Sequence, residues 1–422
     1  MIMRPGKLCS LLASAFGFFA VSPSLAHASG YAVFTHGASA LGEASAVIAH
    51  NDGPTAIFYN PALLSQLPGT QVQAGTTIIF PSREFQSEFS GTSFKSENDF
   101  FTPSTFYLSR RFSDKVSGGF GFFSPFGLGN DWGKEWEGRF IATNSELKTF
   151  NLNPVVSLRL TPRLAVAGGI NLLYLDSTLE RQLRATALNI PAPGLEIGQK
   201  FSGDGSGWGF NLGLLLDLTD NLALGASYRS EIKVDVKGDV SFSSPEGFPV
   251  TLPELSGKTD LTLPQQAFTG LYYKGLDPLT FEVGLRWEGW SAFDELRIEL
   301  LNGQNSVTPR DWDDSFAYNL GVRYRLNPTV TLLAGYLYGE TPVPDHTFDP
   351  SIPDADAHVF SLGTDLEFNR YKVALSYAYQ RFEDRSKNNL IGDSPVAAAS
   401  DLANGTYKSD LHLVSLGLTY RF

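Results

Sequence analysis

The feature that most constrains this chain is an alternation of apolar and polar side chains with a period of two. Leu279, Phe281, Val283, Leu285 and Trp287 alternate with Thr280, Glu282, Gly284, Arg286 and Glu288. That is the pattern of an extended strand whose two faces meet different surroundings. The same signal, bounded by turn residues, predicts strands near 71–82, 101–112, 115–126, 148–160, 163–182, 207–218, 221–240, 259–274, 279–300, 311–326, 329–340, 357–369, 371–385 and 408–422. Tight turns such as Ser113-Asp114, Thr161-Pro162, Thr219-Asp220 and Asn327-Pro328 alternate with longer loops. Short turns at one end and long loops at the other mark an up-and-down outer-membrane barrel. A soluble sandwich would also alternate, but these strands exceed the usual five or six residues.

The alternation predicts which residues face lipid. In 222–239, Leu222, Leu224, Ala226, Tyr228, Ile232, Val234 and Val236 are expected to face lipid, and Arg229, Glu231, Lys233, Asp235, Lys237 and Asp239 the lumen. A lipid-facing Lys or Arg at mid-membrane costs about 2–4 kcal/mol, which enforces such segregation. In the last strand Val414, Leu416, Leu418, Tyr420 and Phe422 share one face, and a terminal aromatic of this kind resembles the signal that barrels present to their assembly machinery.

The N-terminus sets the compartment. Arg4 and Lys7 precede an apolar run from Leu8 to Val21, followed by Ala26-His27-Ala28, the pattern of a secretory signal over residues 1–28. The run is too short for a spanning helix, which needs about 20 residues. With the signal goes Cys9, the sole cysteine, so disulfide, thiolate-metal and cysteine-nucleophile chemistry are excluded. The whole chain carries a net charge of −12 and loses two further cations with the signal, a poor balance for binding nucleic acid.

Between signal and first strand, Ser29 to Pro68 lacks the period of two and contains Phe58-Tyr59-Asn60-Pro61-Ala62-Leu63-Leu64. It reads as a plug around which the wall closes, entering from the short-turn, periplasmic end. The expected fold class is all-β transmembrane: a 14-stranded antiparallel outer-membrane β-barrel (71–422) with an N-terminal hatch (29–70).

Asn60-Pro61-Ala62 in the plug, Trp208-Gly209-Phe210-Asn211 and Tyr228-Arg229-Ser230-Glu231-Ile232-Lys233 together resemble the FadL family of outer-membrane transporters for long-chain fatty acids and other hydrophobic compounds. The resemblance implies passive transport, with Asn60, Pro61 and Ala62 in the gate and a lateral exit at a kinked third strand. Here that strand contains Pro125, Phe126 and Gly127. Proline gives no N–H to the ladder and glycine weakens pairing, so a break is expected. The resemblance also places the ligand's head group near Arg181 and Arg310, with Ser124 adjacent. Arg310 stands where the family leads one to expect lysine, and a solvated loop position is its alternative. On the fifth strand Asn171, Leu173, Leu175, Ser177, Leu179 and Arg181 share a face, a greasy wall that ends in a cation; the alternative for Arg181 is a structural ion pair. An arginine can hold a carboxylate through two charge-assisted hydrogen bonds, and each buried methylene adds about 0.8 kcal/mol.

Enzyme motifs are missing. Gly257-Lys258-Thr259 lacks the glycine of a phosphate loop, Leu252 standing in its place, and Gly203–Gly209 reads as loop. His36, His50, His346, His358 and His412 have no metal spacing, and Asp345, Asp349, Asp354 and Asp356 read as a solvated loop before a cation site. Asp345-His346 and Asp410-Leu411-His412 find no serine for a hydrolase. No cofactor or metal is expected. The expected partners are a fatty acid or other hydrophobic ligand, outer-membrane lipid and lipopolysaccharide, and the barrel assembly machinery, with the protein a monomer. Uptake of monoaromatic hydrocarbons and a porin-like channel for polar solutes are the competing functions.

Overall fold

The computed structural model describes residues 30–97, 100–245, 252, 254–300, 305–392 and 399–422; the expected signal lies outside them. The described strand segments line up as fourteen wall strands, all antiparallel. They are β1 (Thr70–Ser87), β2 (Ser104–Arg111), β3 (Val116–Phe123, then Gly127–Asp131), β4 (Asn144–Thr161), β5 (Leu164–Arg184), β6 (Glu196–Asp217) and β7 (Leu222–Arg229, then Ile232–Ser243). Next come β8 (Leu255–Leu263, then Gln266–Leu276), β9 (Leu279–Glu288, then Glu295–Leu300), β10 (Asn305–Pro309, then Ser315–Arg325), β11 (Val330–Gly339), β12 (Ala357–Phe368), β13 (Tyr371–Phe382, then Arg385–Lys387) and β14 (Gly405–Arg421). Pairing of β1 with β14 from Gln71↔Arg421 to Ser87↔Gly405 closes the wall, which leaves no free edge along that seam.

The faces separate as a lipid-embedded wall requires. On β5, Ile170, Leu172 and Tyr174 are exposed outside while Asn171, Leu173 and Leu175 are buried within. On β9, Glu282, Arg286 and Glu288 are buried inward and Val283 is exposed.

Two expectations need correction. In β7 the inward residue Arg229 is followed by a one-residue slip at Ser230-Glu231, since Arg229 pairs with Asn211 of β6 but Lys237 with Asp204, one residue out of that register; β8 follows it at Pro264-Gln265, Arg229 pairing with Gln266 and Ile232 with Leu263. Beyond the slip the faces invert as at a β-bulge. Ile232, Val234 and Val236 are buried inside, while Lys233, Asp235 and Lys237 are exposed outside. This half of β7 lies toward the long loops, where charge can be solvated and the interior is apolar. The glycine-rich run of β6, read as loop, is strand. A Cβ at Gly205 would lie 2.5 Å from the Asp235 carbonyl oxygen, and one at Gly207 2.3 Å from that of Lys233. Glycine there lets β7 cross close over the inner face of β6.

Residues 30–69 lie inside the wall. Helices α1 (Ala38–Gly42) and α2 (Ala56–Tyr59) and a 3-10 turn (Pro61–Ser65) touch β1, β2, β3, β4, β5, β6, β11, β12, β13 and β14. Twelve apolar residues of this segment, from Ala40 to Leu67, share one cluster with inward residues of the wall.

Candidate functional site

The plug is fastened by polar groups that its own sequence cannot satisfy. Asn60, extended before Pro61 as that proline requires, caps the following turn by accepting the Ala62 N–H at 3.1 Å. Its amide donates to the carbonyl oxygens of Ile48 (2.8 Å) and of Leu214 in the wall (2.9 Å). The motif is therefore both a turn and an anchor. Beyond it, Ser157 donates to the Ala62 carbonyl, and Arg111 and Arg159 to that of Ser65.

On the opposite side, Glu282 accepts the N–H groups of Ile48, Ala49 and His50. The His50 ring bridges Glu282 (2.8 Å) and Glu43 (3.0 Å). Burial lowers the His50 pKa, but the two glutamates outweigh it and hold the ring up at about 9, so it is an imidazolium at neutral pH. Arg323 joins Glu43, Asp52 and Asp365, and Lys372 joins Asp52 and Asp365. Burying so many charges is tolerable because each has opposite partners and hydrogen bonds.

A third contact involves Arg229 of β7, which is 5% exposed. Its guanidinium lies over the rings of Phe58 (4.9 Å) and Phe123 (5.3 Å) and donates to the Phe58 carbonyl at 3.3 Å. Asn153 and Asn171 accept further hydrogen bonds from it through their side-chain oxygens. Among the described residues no carboxylate is within ion-pair distance of it.

The third strand breaks at Ser124-Pro125-Phe126. Below the break β3 pairs with both β2 and β4; above it, Gly127–Asp131 pairs with β4 alone. The gap on the β2 side is occupied by the first residues of the plug. Val33 N–H donates to Pro125 O and Gly127 N–H to Tyr31 O, both at 2.9 Å, with Ala32 bridged to Phe126. Ser124, Phe126 and Gly127 line a cavity of about 520 Å³ together with Tyr31 and Val33. Outward-facing Phe150 and Lys148 also line it, so it reaches the outer face of the wall.

Arg181 and Arg310 line a different cavity, of about 580 Å³, with Leu179. The two cations are not equivalent. Arg310, 4% exposed rather than solvated, is paired with Asp349 and donates to Ser351 at 3.2 Å. Arg181 donates to Gln199 at 2.7 Å, and among the described residues no carboxylate pairs with it. Leu175 and Leu179 line a small cavity of about 50 Å³ whose walls are shared with both larger ones. Leu173 is 2% exposed within the same apolar cluster. Ser124 is thus set apart from the two arginines.

The loop after β11 is solvated at Asp345 but buried at Asp349, Asp354 and Asp356. Asp349 holds Arg310, and Asp354 accepts the Gly30 N–H at 3.0 Å and the Thr341 hydroxyl. Burial pushes Asp354 up to about 7. Among the described residues no group of ligating side chains could hold a metal. His346 faces Asp311 and His412 faces Tyr377.

Sequence reasoning missed the aromatic cage at the start of the plug. Tyr31, 4% exposed, has its ring centroid 4.6 Å from Trp290, 5.9 Å from Trp312, 6.1 Å from Phe126 and 6.2 Å from Phe293. The cluster of tryptophan and phenylalanine in the 287–312 stretch was its one visible signal.

A closed antiparallel barrel with apolar strand faces outside, a filled lumen and apolar cavities within defines an outer-membrane channel protein. Residues 19–422 match the family described as outer membrane protein transport protein (OMPP1/FadL/TodX). The chain belongs to that family, and its place is the outer membrane of a Gram-negative bacterium. It is 26% identical over 432 residues to the 47 kDa outer membrane protein of Pasteurella multocida, covering 98% of each chain. It is 26% identical over 393 residues to the long-chain fatty acid transport protein of Salmonella typhi, covering 85% of this chain and 89% of that one. Among solved structures, a Pseudomonas aeruginosa FadL homologue superposes with a TM-score of 0.82 at 20% identity, covering 93% of this chain and all (100%) of that one. The Pseudomonas putida toluene transporter TodX gives 0.75 at 19%, covering 92% and 98%. At these identities the two structures support the fold alone.

Proposed function

We propose that this protein takes up long-chain fatty acids or related amphipathic hydrophobic molecules by passive diffusion, with sideways release at the β3 break. The observation that carries this reading is the chain of apolar cavities from Arg181 to the broken strand, closed at its inner end by the Gly30–Thr35 limb of the plug. Arg181 supplies a head-group cation that has no carboxylate within ion-pair distance among the described residues, while Arg310 already has Asp349. An alkyl tail lying along Leu179, Leu175 and Leu147 gains about 0.8 kcal/mol per methylene, so a long tail outweighs the single head-group contact. The plug body, tied to the wall by Asn60, Glu282, Arg323 and Lys372, is the fixed part of the hatch. The limb, joined to β3 by two backbone hydrogen bonds, is the part able to yield.

A second reading, uptake of small aromatic compounds, is favoured by the cage around Tyr31. A porin-like role is disfavoured by the plug. Proteoliposomes provide the test: oleate should enter those containing the protein faster than empty ones, with no sugar-driven swelling. Sugar-driven swelling by the intact protein would overturn the proposal.

A further inference from the structure

The cage around Tyr31 has a chemistry of its own. Four aromatic rings surround one phenol, and a phenol ring fits such a cage through edge contacts. Tyr31 also borders the small cavity between the two large ones, and its lining is apolar (Leu147, Leu175, Leu261) apart from a few polar atoms. Among the described residues, three of these atoms, the Tyr31 hydroxyl, Arg310 Nε and Thr259 Oγ1, are buried without a hydrogen-bond partner. The residues that own them are 4%, 4% and 7% exposed. Buried polar atoms normally find partners, so unpartnered polar atoms gathered on one small cavity mark a place that can receive the polar group of a ligand.

Charge decides which group. Arg310 is already neutralised by Asp349, so a carboxylate entering here would meet no net positive charge and would lose its hydration. An uncharged hydroxyl loses less, and can accept from Arg310 Nε–H while exchanging a hydrogen bond with Thr259. A plain hydrocarbon would fill the cage and leave the orphans as they are.

We propose that this cage, once Tyr31 has moved out, is a binding subsite for uncharged monocyclic phenols, the ring lying among Trp290, Phe293, Trp312 and Phe126 and the hydroxyl facing Arg310 Nε and Thr259. Tyr31, itself a 4-alkylphenol, is the resident occupant. The proposal rests on the uptake of hydrophobic compounds and narrows its aromatic branch.

The test uses the full-length protein in nanodiscs, titrated calorimetrically at neutral pH with 4-methylphenol, toluene and 4-methylbenzoate, and separately with oleate. In Tyr31→Ala, which empties the cage, 4-methylphenol is expected to bind at least about tenfold more tightly than either of the others. Thr259→Val added to that variant should shrink its advantage over toluene several-fold. If Tyr31→Ala does not assemble, the same order of affinities in the wild type, weakened by displacement of Tyr31, decides the matter. Equal or tighter binding of toluene would overturn the phenol assignment and leave the uptake reading standing, and tighter binding of 4-methylbenzoate would do the same. Binding of oleate with none of the three small ligands would show that the cage is only a structural seat for Tyr31. Failure of all four ligands to bind the folded wild type would instead count against the uptake reading itself.

Discussion

The carboxylate of Glu282, on the barrel wall, accepts both the backbone N–H of His50 at 3.0 Å and its ring Nδ1–H at 2.8 Å. Because the other ring nitrogen is 3.0 Å from Glu43, one imidazolium ties the plug to the wall.

That tie is pH-dependent. The folded pKa of about 9 lies above the ordinary value of 6.5, so the stabilisation is complete below about pH 6.5 and is lost as pH rises through 9. A gap of this size corresponds to roughly 3 kcal/mol. The thermal unfolding midpoint of the wild type is expected to fall between pH 7 and 10, and that of His50→Gln to be lower at pH 7 and flatter across the range. Equal pH slopes for the two proteins would refute the imidazolium bridge.

Asn60→Ala removes donors to Ile48 and Leu214 and the acceptor for Ala62. Leaving buried carbonyls unsatisfied costs about 1–3 kcal/mol each, and the loss falls on the seam between plug and wall. Cells carrying the variant should admit large polar antibiotics that wild-type cells exclude, measured by growth inhibition. Unchanged exclusion would mean that the remaining contacts hold the plug alone.

The two arginines should behave differently. Arg181→Ala is expected to weaken oleate binding by about ten- to a hundredfold, the worth of a charged hydrogen bond, and to spare the uncharged methyl ester. Arg310→Ala strands the buried carboxylate of Asp349, so it should lower stability and weaken acid and ester alike. Selective loss of oleate in the second variant and not the first would reverse the roles. Equilibrium binding of both ligands to each purified variant distinguishes these outcomes.

How far the sequence reached differs between wall and site. The strands were legible because lipid enforces a period of two; in β9 the pattern from Leu279 to Glu288 holds without interruption. It misled beyond Arg229, where a slip of one residue inverts every later face of β7. Nothing in the alternation of Lys233, Asp235 and Lys237 records that slip, although Pro264, unable to donate to the ladder, hints at it on the neighbouring strand. The break at Pro125 was readable from proline chemistry. That Tyr31 and Val33 fill it was not, because it depends on the plug returning to the wall some ninety residues along the chain. Glu282, Arg323, Asp365 and Lys372 could be assigned to the lumen by parity, but their pairing with Glu43, His50 and Asp52 is set by the shape of the plug.

The most direct measurement concerns the limb and the broken strand. Ala32 and Phe126 form an antiparallel bridge, and Cys9, the only native cysteine, belongs to the expected signal, so Ala32→Cys with Phe126→Cys can lock the limb to β3 by a disulfide. Uptake of labelled oleate by cells with the oxidised protein is expected to fall to the level of cells lacking it, and to recover on reduction. Undiminished uptake through a fully cross-linked protein would contradict release at the β3 break.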